Sequence, residues 1–457
     1  VSENQGRASL LKSVGIGVGS AVAVLALIIG GTALTGSNNP EPSNSPQASA
    51  SESASPSASA SPLKSCSVAD LAADPRLASL SAYVLNTGTN EVLFDRQGDL
   101  PKSTASVMKA VTATVALSTL GPNYRVDTRV YSDPAKPGVV YLVGGGDPTL
   151  SRLSAAQQSV YKNAPKLASL AIAVNAKLSN AAITKIIVVD DLFAGPNWDS
   201  TWEDSERKEG YMSQVSALQT DGDRKDPKSE TSWRSQRPAL NTGGYFKTAL
   251  GSTATAARVS AGTLPSNAVE LAKVTSAPIS SWITHMLQVS DNTQAEALAR
   301  LVSLDLGFDG SGASIDAAFK KALAALEFDT TGMYFRDGSG LSGDNAVSPI
   351  FMAKLMQMLN TATGDLAGVK AGMPVAGESG SLAARFSGEN VDARGHVIAK
   401  TGWIKKGYTL SGIINAKDGS TLTFAVYALG SVKPDAKDAI DNLVTGFYRC
   451  GNELSNE

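Results

Sequence analysis

Hydrophobic and polar positions change rhythm sharply along this chain, and each change predicts an element. An uncharged apolar run fills residues 14–34, about 21 residues, enough to cross a bilayer as one helix. Residues 36–62 are Ser, Ala and Pro with scattered Asn and Glu. Such a stretch buries too little apolar surface to offset its ordering entropy, so it reads as a disordered spacer. Residues 81–85 and 91–94 read as short strands around a Gly- and Asn-containing turn at 86–90. Residues 103–117, mostly Ala, Val, Met and Leu without Gly or Pro, predict a helix that is apolar on nearly all sides and therefore buried.

Between residues 124 and 272 the texture alters. Strand-like pieces at 126–131, 139–143 and 183–189 alternate with a helix-like run at 155–174, and the polar, charged stretch at 221–237 reads as an exposed loop. Helical patterns return at 283–289, 294–304, 314–326 and 348–359. Strands follow at 397–403, 409–414 and 421–429, and a closing helix at 436–448. Strands at both ends with helices between them fit one sheet built from distant segments.

Composition narrows the picture. A chain of 457 residues with 42% hydrophobic content can bury more than one core. The net charge of −2 and the lack of a basic block point away from nucleic acid. Two histidines and two cysteines, unclustered, leave no metal-ligand set. Arg7 and Lys12 precede the apolar run, so the positive-inside rule leaves residues 1–13 cytoplasmic, makes 14–35 a single-pass anchor and sends the remainder outside. The rival reading is a cleaved signal peptide and secretion, but the run exceeds a usual signal core and 32–36 is a poor cleavage site. Cys66 opens the folded part and Cys450 closes it; in an exported chain, two such cysteines predict a disulfide joining its ends.

Three motifs then fall in order: Ser106-Val107-Met108-Lys109, Ser290-Asp291-Asn292 and Lys400-Thr401-Gly402. S-x-x-K alone says little, since it also begins at Ser9, Ser61, Ser159 and Ser205, in settings without an apolar face to bury the lysine. K-T-G occurs once. A serine hydroxyl is a weak nucleophile that needs a base within hydrogen-bond reach, and positions i and i+3 share a helix face, so Lys109 can reach Ser106. Lysine acts as a base only when its pKa is depressed; the apolar helix supplies burial and Lys400 a neighbouring cation. Ser290-Asp291-Asn292 lies between two helical runs, where a hydroxyl can relay a proton and an amide can hold a carbonyl. It serves equally as a helix N-cap. Lys400, Thr401 and Gly402 offer a cation, a hydroxyl and close backbone approach, which suits a carboxylate. His285 and His396 have no G-x-S-x-G partner, so a histidine-based triad is set aside.

The ordered set of S-x-x-K, S-D-N and K-T-G is shared by penicillin-binding proteins and class A β-lactamases. Beyond it, the chain resembles the low-molecular-mass penicillin-binding proteins of the D-alanyl-D-alanine carboxypeptidase/endopeptidase family, in the branch with a domain inserted after the nucleophile helix. The likeness includes LVGGGDPTL at 142–150, MLQVSDN at 286–292 with AEAL at 295–298, and DGSGLS at 337–342 with VSP at 347–349. It extends to PVAG at 374–377 with GSL at 380–382 and Arg385.

The resemblance implies an α+β fold of the penicillin-binding-protein/β-lactamase type, an antiparallel sheet flanked by helices, from residues 65–124 and 273–457. A mixed α/β domain would be inserted at 125–272, and the spacer would end at 64. It further implies acyl-enzyme chemistry on peptidoglycan stem peptides without a cofactor, with β-lactams as inhibitors. Ser106 would be the nucleophile and Lys109 its base. Ser290 and Asn292 would be second-motif groups, and Lys400 and Thr401 carboxylate and proton-network groups. Backbone amides of Ser106 and Trp403 would hold the oxyanion, beside Gly402. Two features depart from the family: Trp403 stands where Thr or Ser usually follows K-T-G, and the inserted block looks short. A β-lactamase shares the motifs but needs a positioned carboxylate that the sequence does not identify. A β-lactam or muropeptide sensor that turns over poorly is the third reading.

Overall fold

The computed structural model describes residues 64–456. The expected anchor at 14–35 and nearly all of the spacer lie outside the described residues, among which no helix is long and apolar enough to cross a membrane. The described strands are β1 (Ser79–Asn86), β2 (Val92–Arg96), β3 (Asp127–Ser132), β4 (Val139–Val143), β5 (Lys185–Val189), β6 (Arg258–Ala261), β7 (Val269–Thr275), β8 (Val397–Ile404), β9 (Gly407–Asn415) and β10 (Thr421–Leu429).

The first sheet has the order β2-β1-β10-β9-β8 and is antiparallel throughout. Both ends of the chain build it, because β1 pairs with β10 from Ser79 opposite Leu429 to Asn86 opposite Leu422. The β1–β2 turn forms on Asn86, whose Oδ1 accepts from the amides of Gly88 and Thr89 at 2.8 and 3.2 Å; local bonding of this kind makes Asn a turn former. Helices cover both faces. Met108–Leu120, Ile279–Val289, Asn292–Asp305 and Pro349–Thr361 share a core with Ile413, Ala425 and Tyr427. Ala436–Cys450 packs on the opposite side with Val84, Leu410 and Phe424. The fold is thus α+β, an antiparallel sheet flanked by helices.

The helix Met108–Leu120 is buried at every position from Met108 to Leu117. Its two buried threonines are satisfied: Thr112 donates to the Gly338 carbonyl and Thr114 to that of Ala110, so the helix enters the core without orphaned hydroxyls.

A second sheet, β6-β5-β4-β3-β7, occupies the chain between residues 127 and 275. The β4–β5 and β5–β6 pairs are parallel, which requires crossover connections. The helices Leu167–Lys177 and Pro238–Leu250 provide them, burying Leu170, Val174 and Phe246 with Val130, Leu142 and Ile186.

Two sequence expectations need correction here. The helix expected over 155–174 is confined to Leu167–Lys177; Pro165 lacks a backbone N–H and disfavours helix in the residue before it, so 155–164 is turn and irregular backbone. The stretch 221–237 is not an exposed loop throughout: Asp221, Asp223, Arg224 and Arg234 are buried, Asp221 and Arg224 paired with the distant Arg152 and Asp291, Asp223 and Arg234 with groups nearer in sequence. The helix Pro238–Leu250 and the strands β6 and β7 had no distinct signature in the pattern.

Cys66 and Cys450 form a disulfide across 384 positions, with Cα atoms 5.4 Å apart. Backbone hydrogen bonds flank it, from the Cys66 amide to the Glu453 carbonyl (3.1 Å) and from the Ser455 amide to the Cys66 carbonyl (2.9 Å). Closing so long a loop in the unfolded chain stabilises the fold, by about 2–5 kcal/mol for a native bridge of this kind. The Cys66→Ala/Cys450→Ala variant is therefore expected to unfold at a clearly lower urea concentration than wild type, and equal midpoints would show the bridge to be energetically idle.

Candidate active site

Ser106 sits in the single 3₁₀ turn Ala105–Val107, which runs directly into the helix Met108–Leu120. Ala105 takes a left-handed φ of 45°. Gly340 backs against it so closely that a Cβ at that position would overlap the Ala105 carbonyl. This turn presents Ser106 to a cavity of about 290 Å³, whose other walls include Glu206, Ser290, Asn292, Thr401 and Trp403.

One turn on, the Lys109 amine is fully buried. Its Nζ lies 2.8 Å from Ser106 Oγ, 2.6 Å from Asn292 Oδ1 and 2.6 Å from the Ser339 carbonyl oxygen. Burial pulls its pKa down to about 8, against the opposing pull of Asp337, Glu296, Asp291 and Glu206. The geometry accommodates both protonation states. An ammonium donates to all three oxygens; a neutral amine keeps two of those bonds and turns its lone pair toward the serine hydroxyl.

The second motif is compressed between two helices. Ser290 ends Ile279–Val289 in the left-handed conformation, with φ 64° and ψ 42°. Asp291 caps Asn292–Asp305, its Oδ1 accepting from the Gln294 amide at 2.9 Å. Asn292 donates from Nδ2 to the Tyr211 carbonyl at 3.2 Å, leaving its oxygen for Lys109.

The third motif lies on β8, at the edge of the first sheet. Lys400 is fully buried and donates to Ser290 Oγ at 2.9 Å and to the Thr401 carbonyl at 2.8 Å. Burial and the positive charge of Lys109 hold its pKa well below the usual lysine range. A Cβ on Gly402 would stand 2.8 Å from the Ser106 amide nitrogen, so the strand backbone passes directly beside the nucleophile turn. Thr409 fixes that approach from β9, donating to the Thr104 carbonyl at 2.8 Å. The Thr401 and Ser381 hydroxyls meet at 2.7 Å. Trp403 is 48% exposed, lines the same cavity as Thr401, and meets the Tyr211 ring edge-on at 6.4 Å between centroids.

Ser106, Ser290, Asn292, Thr401, Gly402 and Trp403 therefore line one cavity, and the buried Lys109 and Lys400 lie behind its wall, bonded to Ser106, Asn292 and Ser290. Other participants were not evident beforehand. The DGSGLS segment winds around the Asp337 carboxylate, which accepts from the amides of Gly340 and Ser342 at 2.8 and 2.7 Å and from Asn345 Nδ2 at 2.8 Å. That turn aims the Ser339 carbonyl at Lys109. Glu296, buried, accepts from the Ser339 amide at 2.8 Å, and its carboxyl is pushed up to about 7 by burial and by Asp337. A short Asp-Gly-Ser-Gly run was the visible signal, though nothing in it named the lysine as its target. His285 bonds to Gln294 and Glu230 rather than to a serine, and His396 stacks on Tyr448.

A serine bonded to a buried lysine amine, beside a second lysine on a sheet edge, is an arrangement suited to acyl transfer without histidine. Comparison with known proteins gives the family. The sequence matches the D-Ala-D-Ala carboxypeptidase 3 (S13) family over residues 64–231 and 224–447. It is 32% identical to a carboxypeptidase of Mycobacterium tuberculosis, over 84% of this chain and 83% of that one. Carboxypeptidase DacB of Mycolicibacterium smegmatis is 31% identical over 84% of each. The fold matches the crystal structure of penicillin binding protein 4 (dacB) from Haemophilus influenzae with a TM-score of 0.69 at 19% identity, covering 83% of this chain and 99% of that one. The chain belongs to the D-Ala-D-Ala carboxypeptidase 3 (S13) family and is a serine-type D-Ala-D-Ala peptidase.

Proposed function

We propose that this peptidase removes the terminal D-alanine of peptidoglycan stem peptides through an acyl-enzyme on Ser106, and that β-lactams acylate the same oxygen. The observation that carries the reading is the Lys109 amine, buried and 2.8 Å from Ser106 Oγ. In its neutral form Lys109 takes the Ser106 proton as Oγ attacks the carbonyl carbon of the penultimate D-alanine. The backbone amides of Ser106 and Trp403 hold the developing oxyanion. The proton then passes to the departing nitrogen of the terminal D-alanine, with the Ser290 hydroxyl as relay, and water hydrolyses the ester to free Ser106. Asn292 orients the amine of Lys109 throughout.

Two buried lysines cannot both hold a full charge comfortably. The free site therefore favours a neutral amine, and a substrate carboxylate entering beside Thr401 and Ser381 draws positive charge to Lys400. This pairing of carboxylate and cation suits a substrate whose leaving amine carries a carboxylate on its α-carbon, as terminal D-alanine does. The β-lactam part is supported by the Haemophilus influenzae protein of like fold, which has been crystallised with a β-lactam. We further propose that residues 14–35 tether the enzyme to the membrane with its catalytic part outside, an arrangement consistent with the disulfide.

Ser106→Ala is expected to abolish both covalent penicillin labelling and D-alanine release from a pentapeptide; labelling that moves to another serine would sink the assignment. Since Lys109 must be neutral to act, the acylation rate is expected to climb about tenfold per pH unit below pH 8 and to level off above it. A flat profile from pH 6 to 9 assigns the base elsewhere. For the anchor, expression of the full chain should leave the protein in the membrane fraction with residues 14–35 retained. An N-terminus near Gly36 in the mature protein shows cleavage instead.

A further inference from the structure

The second motif is held from outside by residues that lie between β4 and β6, and the grip falls on its one side chain not directed at Ser106, Lys109 or Lys400. Asp291 is buried, with a side chain only 2% exposed. Its Oδ2 accepts from Arg224 Nη2 at 2.8 Å and from the Tyr161 hydroxyl at 2.9 Å. Arg224 is equally buried. Its Nη1 donates to that same tyrosine oxygen at 2.7 Å, and its guanidinium stacks 4.8 Å from the centre of the Tyr161 ring. The three groups close a triangle in which each touches the other two.

Asp291 stands between the two residues the chemistry uses. On one side Ser290 holds a left-handed φ of 64°, a conformation that a non-glycine residue keeps only where its surroundings over-determine it. If Asp291 were released, Ser290 would be free to relax toward the right-handed region and prolong the helix before it, carrying Oγ away from Lys400. On the other side Asn292 bonds to Lys109 and to the Tyr211 carbonyl. The loop supplying that carbonyl is itself tied to the Arg224 segment, because Arg234 donates to the carbonyls of Gly210 and Gly222. One buried cluster thus sets the positions of both Ser290 and Asn292 without touching the cavity's reacting atoms.

We propose that Arg224 and Tyr161 are positioning residues for acylation, clamping Asp291 so that Ser290 and Asn292 meet the two lysines. Because the proposal rests on Ser106 acyl-enzyme chemistry, its test begins with wild type and Ser106→Ala: absence of Ser106 labelling defeats that reading, not this one. Given labelling, the test compares acylation by a fluorescent penicillin, resolved by stopped flow into the affinity of the initial complex and the rate constant of the covalent step. Removing one partner strands a buried charge, so the informative variant is Arg224→Met/Asp291→Asn, which removes both charges and keeps an oxygen for the cap. It is expected to bind penicillin within about threefold of wild type while the covalent step slows 10- to 100-fold. Arg224→Lys, with the charge retained, is expected to recover part of that loss. A covalent rate within twofold of wild type in the folded double variant overturns the proposal, as does a loss confined to initial affinity. Should the double variant fail to fold, Tyr161→Phe decides, since it removes one hydroxyl from the same carboxylate. A threefold to tenfold slower covalent step is expected there, and an unchanged one overturns the clamp.

Discussion

The structure depends on one buried amine. Lys109 has no access to water, and a buried amine without acceptors carries a large penalty, so three acceptors have to be brought to it. They come from different parts of the chain: Ser106 from its own helix, Asn292 from the following helix pair, and Ser339 from a loop wound around Asp337. Each must arrive within hydrogen-bond distance. The requirement makes the packing of three segments a single problem, and the burial that this packing imposes is what depresses the amine's pKa. Stability and reactivity here share one cause.

The same convergence explains why the first sheet is built from both chain ends. β8 has to lie beside the turn at Ser106 closely enough that Gly402 has no room for a side chain, while β1 lies three strands away against β10. A sheet assembled from residues 79–96 and 397–429 can do this only if the segments between return to their starting place. The disulfide closes that circuit covalently at Cys66 and Cys450, next to the backbone bonds that pair the chain's first described residues with its last.

Much of the catalytic half was legible in the sequence because its signals are local. The Ala-rich helix after Pro101, the short apolar runs of β9 and β10, and the order of three motifs need only a few neighbouring residues to be read. What escaped was long-range. Arg224 sits in a charged stretch, and a charged stretch reads as solvated because the sequence does not show that its partner is Asp291, 67 residues later. Ser339 contributes a backbone carbonyl, which has no residue signature at all. The misplaced helix at 155–174 is a different kind of miss: Pro165 was a sufficient local signal, outweighed by the apolar run that follows it.

Trp403 brings these threads together at the cavity rim. Its β8 position puts it on the same side as Thr401, and its ring rests against Tyr211, whose carbonyl holds the Asn292 amide. One member of this edge-on aromatic pair therefore also supplies the backbone carbonyl that orients the second motif. Because Trp403 remains 48% exposed, a ligand group entering the cavity can bury additional aromatic surface at little conformational cost, since the indole has few rotatable bonds to freeze. The cavity beside Ser106 and Thr401 thus has an aromatic wall. Tyr211 in that wall follows Gly210, whose carbonyl accepts from Arg234 as that of Gly222 does, so the rim is tied to the segment that carries Arg224.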